Sequence, residues 1–246
     1  FRLYFSTNLK KKSRIHFILR FAFDSNYYYY PRFLQQKYIA GSMGNPEEGI
    51  ITANYYRSKG FPDETYESNI AYKYLTNYIK ANKYNNLHIH QVGASSGREI
   101  NYFSKLSNSI IFEASDLTKD IADNIKYNYP SLHCSVVDLS QSKNFIPVAK
   151  RCSLIVAFGG LQYLLPKDLE RIFKICKLEN CELIISQPLS YLVNPFSIKV
   201  SIPRGNLSWS HCYLHIASKY GYKFNAVSEY KSNSKAQLLC AHFFIE

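Results

Sequence analysis

The strongest constraint on the fold is a regular alternation of short apolar segments with helix-like segments, which begins near residue 87. The apolar segments are rich in β-branched and aromatic residues and have the length of buried strands. They are Leu87–Val92, Ile110–Ala114, His133–Val137, Leu154–Phe158 and Leu183–Ser186. Repeated strand–helix units with short links are typical of a mostly parallel, doubly wound sheet. The sequence therefore predicts an α/β fold.

The segments between these strands carry apolar residues at helical spacing. One helix begins at Gly97, with Ile100 and Phe103 on one face. A second helix is capped by Thr118, because a threonine hydroxyl can accept a hydrogen bond from the first turn. A third begins at Pro166, since proline is favoured at the first helical position. We expect these helices to cover the faces of the sheet.

The pattern changes after the fifth strand. We predict a helix that begins at Ser208 or Ser210 and ends at Gly221, a favourable C-terminal cap. Two further strands follow, Tyr222–Tyr230 and Ala236–Ile245. Because no helix separates these two strands, they should pair antiparallel. The predicted sheet thus has seven strands, with five parallel strands and a C-terminal antiparallel hairpin.

The N-terminal part of the chain does not follow this pattern. Residues 1–50 are predicted to form a basic, aromatic-rich extension, and residues 51–246 a single domain. The net charge of the 246-residue chain is +12, and much of the excess lies near the N-terminus. A basic surface attracts nucleic acid, anionic lipid or phosphorylated substrates. The same charge can also serve solubility alone, and both interpretations stay open.

Composition excludes several classes of protein. A chain that is 46% hydrophobic and 20% charged is globular rather than disordered. No apolar run is long enough to span a bilayer, so we expect no transmembrane segment. The six cysteines show no Cys-x-x-Cys pair and are predicted to be reduced thiols, several of them in the core. We therefore predict a cytoplasmic protein.

Three features at the carboxyl ends of adjacent predicted strands point to a nucleoside ligand. The turn Gln91–Gly97 is rich in small residues and leads directly into a helix, whose N-terminus offers unpaired N–H groups. Asp116 follows the second strand, where a carboxylate can accept both ribose hydroxyls. Asp138 follows the third strand and could hold an adenine amino group. Taken singly, each feature also fits an ordinary turn or helix cap.

Together these residues resemble the class I S-adenosylmethionine-dependent methyltransferases, over roughly Tyr55–Glu246. The Gln91–Gly97 turn is similar to the family's first motif, and Asp116-Leu-Thr118 to the acidic element after strand two. Val137-Asp138-Leu139 is similar to the adenine-side motif, and Leu154–Leu164 to the segment at the methionine end of the cofactor. The resemblance implies a Rossmann-like fold and S-adenosylmethionine as cofactor. The implied cofactor-binding residues are Arg57, Gly93, Ala94, Ser95, Gly97, Asp116, Leu117, Asp138, Leu139, Phe158 and Gly159.

The sequence departs from the family pattern at three positions. Gln91 stands where the family usually has Asp or Glu, and Ser95 replaces the middle glycine. Ser153 stands where an Asp often precedes strand four.

The resemblance implies methyl transfer to an oxygen, nitrogen or carbon of a small-molecule acceptor. His211 and Tyr163 are the candidate catalytic residues, because they follow the strands that build the family's substrate pocket. A histidine can act as a general base near neutral pH. Arg57 lies in a segment that could fold over the cofactor and pair with its methionine carboxylate. For Arg57 and His211, an ordinary solvated surface role is the alternative.

Three other functions remain as alternatives. The Gly93–Gly97 turn also resembles that of short-chain dehydrogenases, which bind NAD(P), and Tyr163–Lys167 matches their Tyr-x-x-x-Lys pattern. Pro166 lies inside that match and disfavours a continuous helical turn. A non-catalytic binding module is the second alternative, supported by Gln91. A nucleic-acid methyltransferase is the third, suggested by the positive charge.

Histidine pairs raise the question of a metal site. His88 and His90 share one face of a strand, and His211 and His215 are four residues apart on the predicted C-terminal helix. No cysteine or carboxylate cluster accompanies either pair in the sequence. We predict a hydrogen-bonded core pair for the first and no metal site.

Overall fold

The computed structural model describes residues 46–63, 69–204, 208–231 and 236–245. The α-helices in these ranges are α1 (Pro46–Ser58), α2 (Ile70–Ala81), α3 (Arg98–Ser104), α4 (Lys119–Asn128), α5 (Ser142–Arg151), α6 (Pro166–Leu178) and α7 (Tyr213–Lys219). The strands are β1 (His88–Val92), β2 (Ile111–Asp116), β3 (His133–Val136), β4 (Leu154–Phe158), β5 (Glu182–Ser190), β6 (Ile202–Arg204), β7 (Ser208–Ser210), β8 (Lys223–Lys231) and β9 (Ala236–Phe244). A short 3-10 helix spans Leu161–Tyr163.

Seven of these strands form one sheet in the order β3-β2-β1-β4-β5-β9-β8. The first five are parallel, so that His90 of β1 lies beside Glu113 of β2 and Ile155 of β4. β9 pairs antiparallel with both β5 and β8. The predicted α/β fold is confirmed: a Rossmann-like doubly wound sheet with five parallel strands and a C-terminal antiparallel hairpin.

Helices cover both faces of this sheet and enclose two apolar cores. The core beneath α2, α3 and α4 includes the fully buried Leu75, Ile89, Ile100, Phe103, Ile125 and Leu154. The core beneath α5, α6 and α7 includes Phe145, Ile155, Phe173, Tyr213, Ile216 and Phe243. Full burial of one such apolar side chain contributes roughly 1.5–3 kcal/mol. All six cysteines are buried free thiols.

The structure corrects the prediction for the segment after residue 200. No helix begins at Ser208 or Ser210; these residues belong to β7, which pairs with β6 in a separate two-stranded sheet. The helix in this region is α7, and it begins only at Tyr213. His211 and His215 therefore do not share a helix, because His211 precedes α7. Burial of Trp209 and the pairing with β6 outweigh the local preference of serine for a helix cap.

The structure also shows two helices that the sequence analysis did not anticipate. Helix α5 forms although Pro147 lies inside it, because Phe145, Val148 and Ala149 are buried in the core. Helix α1 spans both sides of the predicted boundary at residue 50. Residues 1–45 lie outside the described ranges, so the division into an extension and a domain stays a prediction. No helix in the described ranges is both long and apolar enough to cross a membrane.

A cluster of ionisable groups surrounds Glu113 near the amino ends of β1 and β3. Histidine nitrogens lie 3.1 Å (His88), 3.3 Å (His90) and 3.1 Å (His133) from the Glu113 carboxylate. Arg151 donates to the same carboxylate at 3.0 Å. The hydrogen bond with His90, supported by that with Arg151, lowers the pKa of Glu113 to about 2. The predicted His88–His90 pair thus lies in the fold as part of a charged cluster.

This cluster predicts a loss of stability in acid. The folded-state pKa of Glu113, about 2, lies below the ordinary value of 4.5. Its contribution is therefore present above pH 4.5 and is lost as the pH falls from 4.5 towards 2. Urea denaturation between pH 6 and pH 3 should show a smaller loss for Glu113→Gln than for the wild type. Glu170→Gln, which removes an exposed carboxylate, is the control, and equal slopes for all three proteins would contradict the prediction.

Candidate functional site

The turn after β1 approaches the backbone of the turn after β4 closely. Gly93 has a φ of +63° and Ser95 a φ of 49°, both in the left-handed region. A Cβ atom placed on Gly93 would lie 3.4 Å from the Cα of Gly160. The lack of a side chain at Gly93 and Gly160 therefore allows the backbone at the carboxyl ends of β1 and β4 to approach closely. Ala94, also in this turn, is buried, and its N–H donates to the carbonyl of Ser115 in β2.

Gly97 joins this turn to α3 and packs against α4. It has a φ of +72°, and a Cβ there would lie 2.9 Å from a methyl carbon of Ile125. Gly97 therefore meets two requirements, a left-handed backbone and close packing beneath the turn.

Gly97→Ala should destabilise the protein by more than the backbone cost alone, which is roughly 1–2 kcal/mol. Gly221→Ala is a matched control, because Gly221 also has a φ of +72° but a Cβ added there would have no atom within 4 Å. Thermal denaturation of both variants should separate the backbone cost from the clash with Ile125. Equal losses in the two variants would show that α4 yields to the added methyl group.

Asp116, at the end of β2, connects the turns after β1 and β2. One carboxylate oxygen accepts the N–H of Ser95 at 2.9 Å, and the other accepts the N–H of Leu117 at 2.8 Å. Burial raises the pKa of Asp116, and these backbone donors oppose the rise. The N–H of Thr118 is a third backbone donor to this carboxylate. A carboxylate has about four acceptor positions, so these bonds still leave acceptor capacity for a ligand. The structure therefore brings Asp116 and Leu117 together with the glycine-rich turn.

Asp138 has a local role in the turn after β3. Its carboxylate accepts the N–H of Ser140 at 2.8 Å, as in an ordinary aspartate turn. The partly buried Leu139 packs against the core beneath α5 and α6. The assignment of these two residues to an adenine site stays a prediction.

The turn after β4 lies between the Gly93 turn and the β6–β7 sheet. Phe158 packs edge-on against Tyr72 at a ring-centroid distance of 4.7 Å. Gly159 has a φ of +86°, and its carbonyl accepts the side-chain amide of Gln162 at 2.8 Å. Gln162 in turn accepts a hydrogen bond from the Arg204 guanidinium. Gln162 lies in the Leu154–Leu164 segment that the sequence analysis singled out, but neither Gln162 nor Arg204 was predicted as a site residue.

Arg57 reaches the glycine-rich turn from α1. Its guanidinium donates to the carbonyl of Ser96 at 3.2 Å and to the side chain of Asn124 at 2.6 Å. Its third acceptor is the side chain of Asn54, and its buried Nε has no partner within the described ranges. Arg57 is therefore held against the turn by neutral oxygens rather than fully solvated. Pairing with a cofactor carboxylate stays a prediction.

Arg98 was missed by sequence analysis and fixes the segment after α1 to the glycine-rich turn. Its side chain is only 6% exposed and donates to Asp63 at 2.7 Å and to Glu99 at 3.0 Å. It also donates to the carbonyls of Tyr56 and Gly60, at 3.0 and 2.7 Å. An arginine just after a glycine-rich turn suggests a solvated helix start. The partners from residues 56–63 lie too far away in the sequence for a local pattern to reveal them.

His211 lies in the core rather than at the surface. It is fully buried, with Nδ1 3.0 Å from the hydroxyl of Ser201 and its ring 5.4 Å from that of Tyr213. Burial lowers the pKa of His211 to about 3, although the nearby Leu161 and Leu164 carbonyls oppose this. A neutral imidazole with so low a pKa is a weak general base near pH 7. The surface alternative for His211 is wrong, and its catalytic role stays a prediction.

Tyr163 lies at the end of the 3-10 helix, on the same side of the molecule as His211. Burial raises its pKa, and Arg204 opposes the rise. The phenol therefore keeps its proton near neutral pH and acts as a hydrogen-bond donor. Lys167 lies in α6, a different helix from that of Tyr163. The Tyr-x-x-x-Lys pattern therefore does not lie on one continuous helix.

A cavity of about 580 Å³ lies elsewhere, between α2 and the β8–β9 strands. Its lining includes Ile70, Tyr74, Ile184, Phe224 and Cys240. None of its lining residues belongs to the turns after β1, β2 or β4. It is therefore separate from the candidate site. Among the described residues, no cluster of three or more His, Cys, Asp or Glu side chains could hold a metal ion.

Comparisons with known proteins identify the fold. No family model and no curated protein matches the sequence. A TehB-like S-adenosylmethionine-dependent methyltransferase from Corynebacterium glutamicum has a TM-score of 0.55 at 18% identity, with 82% of this chain and 100% of that chain covered. Magnesium protoporphyrin IX methyltransferase from Synechocystis, solved with bound S-adenosylhomocysteine, has a TM-score of 0.59 at 7% identity, with 86% and 100% covered.

Further solved structures with this fold are also S-adenosylmethionine-dependent methyltransferases. One from Mesorhizobium loti has a TM-score of 0.50 at 11% identity, with 70% of this chain and 96% of that chain covered. The chain therefore has the class I S-adenosylmethionine-dependent methyltransferase fold. At these identities the likeness establishes the fold and leaves the acceptor open.

Proposed function

We propose that the protein is an S-adenosylmethionine-dependent methyltransferase that acts on a small-molecule acceptor. The observation that carries the proposal is the arrangement of three turns at one edge of the sheet. Gly93 and Gly160 approach each other there, and Asp116 bonds the backbone of Ser95. Ligands of open α/β sheets bind at the carboxyl ends of the strands, which is where these turns lie.

The residues present fit a nucleoside with an attached amino acid. Gln91 lies near the end of β1, and its buried Oε1 has no partner among the described residues. This oxygen can therefore accept a hydrogen bond from an amino group. Gly93 lets the turn lie close against Gly160, and Gly97 lets it pack against Ile125 of α4. Asp116 offers carboxylate oxygens beside this turn. Beside the turn, the Nε of Arg57 has no partner among the residues that the structure describes. Gln91 thus supplies a neutral acceptor where the family usually has a carboxylate.

The chain's own residues would bind and orient the two reactants. S-adenosylmethionine, when bound, supplies an electrophilic methyl group on a sulfonium. Gly93, Ser95, Gly97, Asp116 and Leu117 would hold the nucleoside portion. Alignment of an acceptor atom with the methyl group can itself provide a large part of the rate enhancement.

Tyr163 and His211 are the candidate groups on the acceptor side. Their shifted pKa values favour an orienting role, because Tyr163 keeps its proton and His211 stays neutral near pH 7. A general-base role for His211 would require the bound acceptor to change its surroundings. We therefore favour a role for Tyr163 and His211 in positioning the acceptor over a role in general-base catalysis.

Calorimetric titration tests this proposal directly. S-adenosylmethionine, S-adenosylhomocysteine and NADH should be titrated separately into the full chain. We expect binding of the first two ligands and none of NADH. Binding of NADH alone would support the dehydrogenase alternative, and the absence of binding by all three would support a non-catalytic module. Incubation with methyl-labelled S-adenosylmethionine and either a metabolite mixture or RNA would then separate small-molecule from nucleic-acid acceptors.

A further inference from the structure

The β6–β7 hairpin lies next to the turn after β4, on the side of the candidate site where Tyr163 and His211 are found. The hydroxyl of Ser210 in β7 accepts the N–H of Ser190, the last residue of β5, at 2.8 Å. β7 also packs against the 3-10 helix that follows β4. The hairpin is therefore attached at the carboxyl ends of β4 and β5, beside the contact between Gly93 and Gly160.

Arg204 is a cation that the hairpin places next to the turn after β4. One guanidinium nitrogen donates to Gln162, whose side chain donates to the carbonyl of Gly159. Among the described residues no carboxylate pairs with Arg204, and its buried Nε has no hydrogen-bond partner. The pKa of Arg204 is lowered by burial, which shows that the folded environment disfavours the charge. A partly buried cation with only a neutral partner is costly unless a negative group joins it.

Tyr213 provides a second unpartnered polar group in the same region. It is fully buried, and its hydroxyl has no hydrogen-bond partner in the part of the chain that the structure describes. Burial raises the pKa of Tyr213 well above the ordinary value, and the charge of Arg204 opposes the rise. Tyr213 therefore stays protonated and is available as a donor. Buried polar groups nearly always have a hydrogen-bond partner. The Nε–H of Arg204 and the hydroxyl of Tyr213 are therefore two donors that a bound acceptor could satisfy.

We propose that Arg204 and Tyr213 form a subsite for an anionic group, a carboxylate or a phosphate, on the methyl acceptor. This inference rests on the proposed function. Arginine suits such a group because its planar guanidinium can donate two parallel hydrogen bonds to a carboxylate or phosphate. Because Gln162 connects Arg204 to Gly159, the anion would be held close to the methyl end of the cofactor. The subsite would thus orient the acceptor and select for negative charge.

Nuclear magnetic resonance of ¹⁵N-arginine-labelled protein tests the subsite in the full chain. Benzoate, phenyl phosphate and the neutral benzamide are the probes, titrated with and without saturating S-adenosylhomocysteine. The Nε–H resonance of Arg204 is identified by its absence in Arg204→Gln. We expect this resonance to move with benzoate or phenyl phosphate and not with benzamide. Benzoate alone would indicate a carboxylate acceptor, and phenyl phosphate alone a phosphorylated one.

Variants give an independent measure of the same contact. Arg204→Gln should weaken anion binding by about tenfold or more, the usual loss for a hydrogen bond to a charged group. Tyr213→Phe should weaken anion binding by a smaller factor. This second variant tests the subsite independently if Arg204→Gln does not fold. Lys150→Gln removes an exposed positive charge far from the hairpin and should bind like the wild type. Equal anion affinities in all four proteins, or an unmoved Arg204 resonance, would overturn the subsite.

The two proposals fail in different ways. Binding of S-adenosylhomocysteine with no response to either anion would overturn the subsite and leave methyl transfer standing. An Arg204-dependent anion response without any binding of S-adenosylhomocysteine would overturn methyl transfer and retain the anion site.

Discussion

Asp116→Ala is expected to weaken S-adenosylmethionine binding by about a hundredfold or more. Each ribose hydroxyl bonded to a carboxylate contributes roughly 1.5–3 kcal/mol, and two such bonds are expected. Asp116 also accepts hydrogen bonds from the N–H groups of Ser95 and Leu117, so its loss should loosen the turn proposed to bind the nucleoside. Calorimetric titration of wild type and variant would measure the difference.

A matched ligand pair separates the ribose contact from loosening of the turn. The wild type should bind S-adenosylhomocysteine more tightly than its 2′-deoxy analogue, and Asp116→Ala should bind the two equally. Asp120→Ala removes an exposed carboxylate from the first turn of α4 and should leave both affinities unchanged. If Asp116→Ala keeps the wild-type preference for the ribose hydroxyl, Asp116 only shapes the turn.

Arg98→Met should lower the free energy of unfolding by about 3–5 kcal/mol, the usual cost of removing one partner from a buried ion pair. The variant would leave the Asp63 and Glu99 carboxylates without their cation, and the carbonyls of Tyr56 and Gly60 without their donor. Urea denaturation would measure the loss. The segment at residues 56–63 should also open, and trypsin should then cleave faster after Lys59.

An exposed ion pair provides the control for Arg98. Lys219→Met breaks the pair with Glu170, whose members are 52% and 37% exposed, and should cost less than about 1 kcal/mol. A similar cost for Arg98→Met would show that solvent enters the cluster and compensates. Unchanged cleavage after Lys59 would show that other contacts hold the segment.

The parts of the fold predicted best were those whose signal lies within a few residues. The strand Leu154–Phe158 is a continuous apolar run that is buried on both faces, and its predicted bounds agree with β4. Pro166 does begin α6, and Thr118 does cap α4. The part predicted worst, the segment Ser208–Ser210, becomes a strand through pairing with Ile202–Arg204, which a local pattern cannot show.

The candidate site shows the same division. Small residues and an acid after apolar strands drew attention to Gly93, Gly97 and Asp116, because turn chemistry is local. Arg98 and Arg204 were not predicted as site residues, since the groups that define their surroundings come from distant segments. Burial also changed the interpretation of His211, which looked like a surface residue and lies in the core.

The position of β9 constrains how the chain can fold during synthesis. β9 follows β8 in the sequence but lies between β5 and β8 in the sheet. While the ribosome is still making β8, that strand has no neighbour in the sheet, and one edge of β5 is open. Open strand edges favour association between chains, and pairing across long sequence separations is slow. The newly made chain therefore passes through a stage vulnerable to aggregation, which ends only when residues 236–244 emerge and insert.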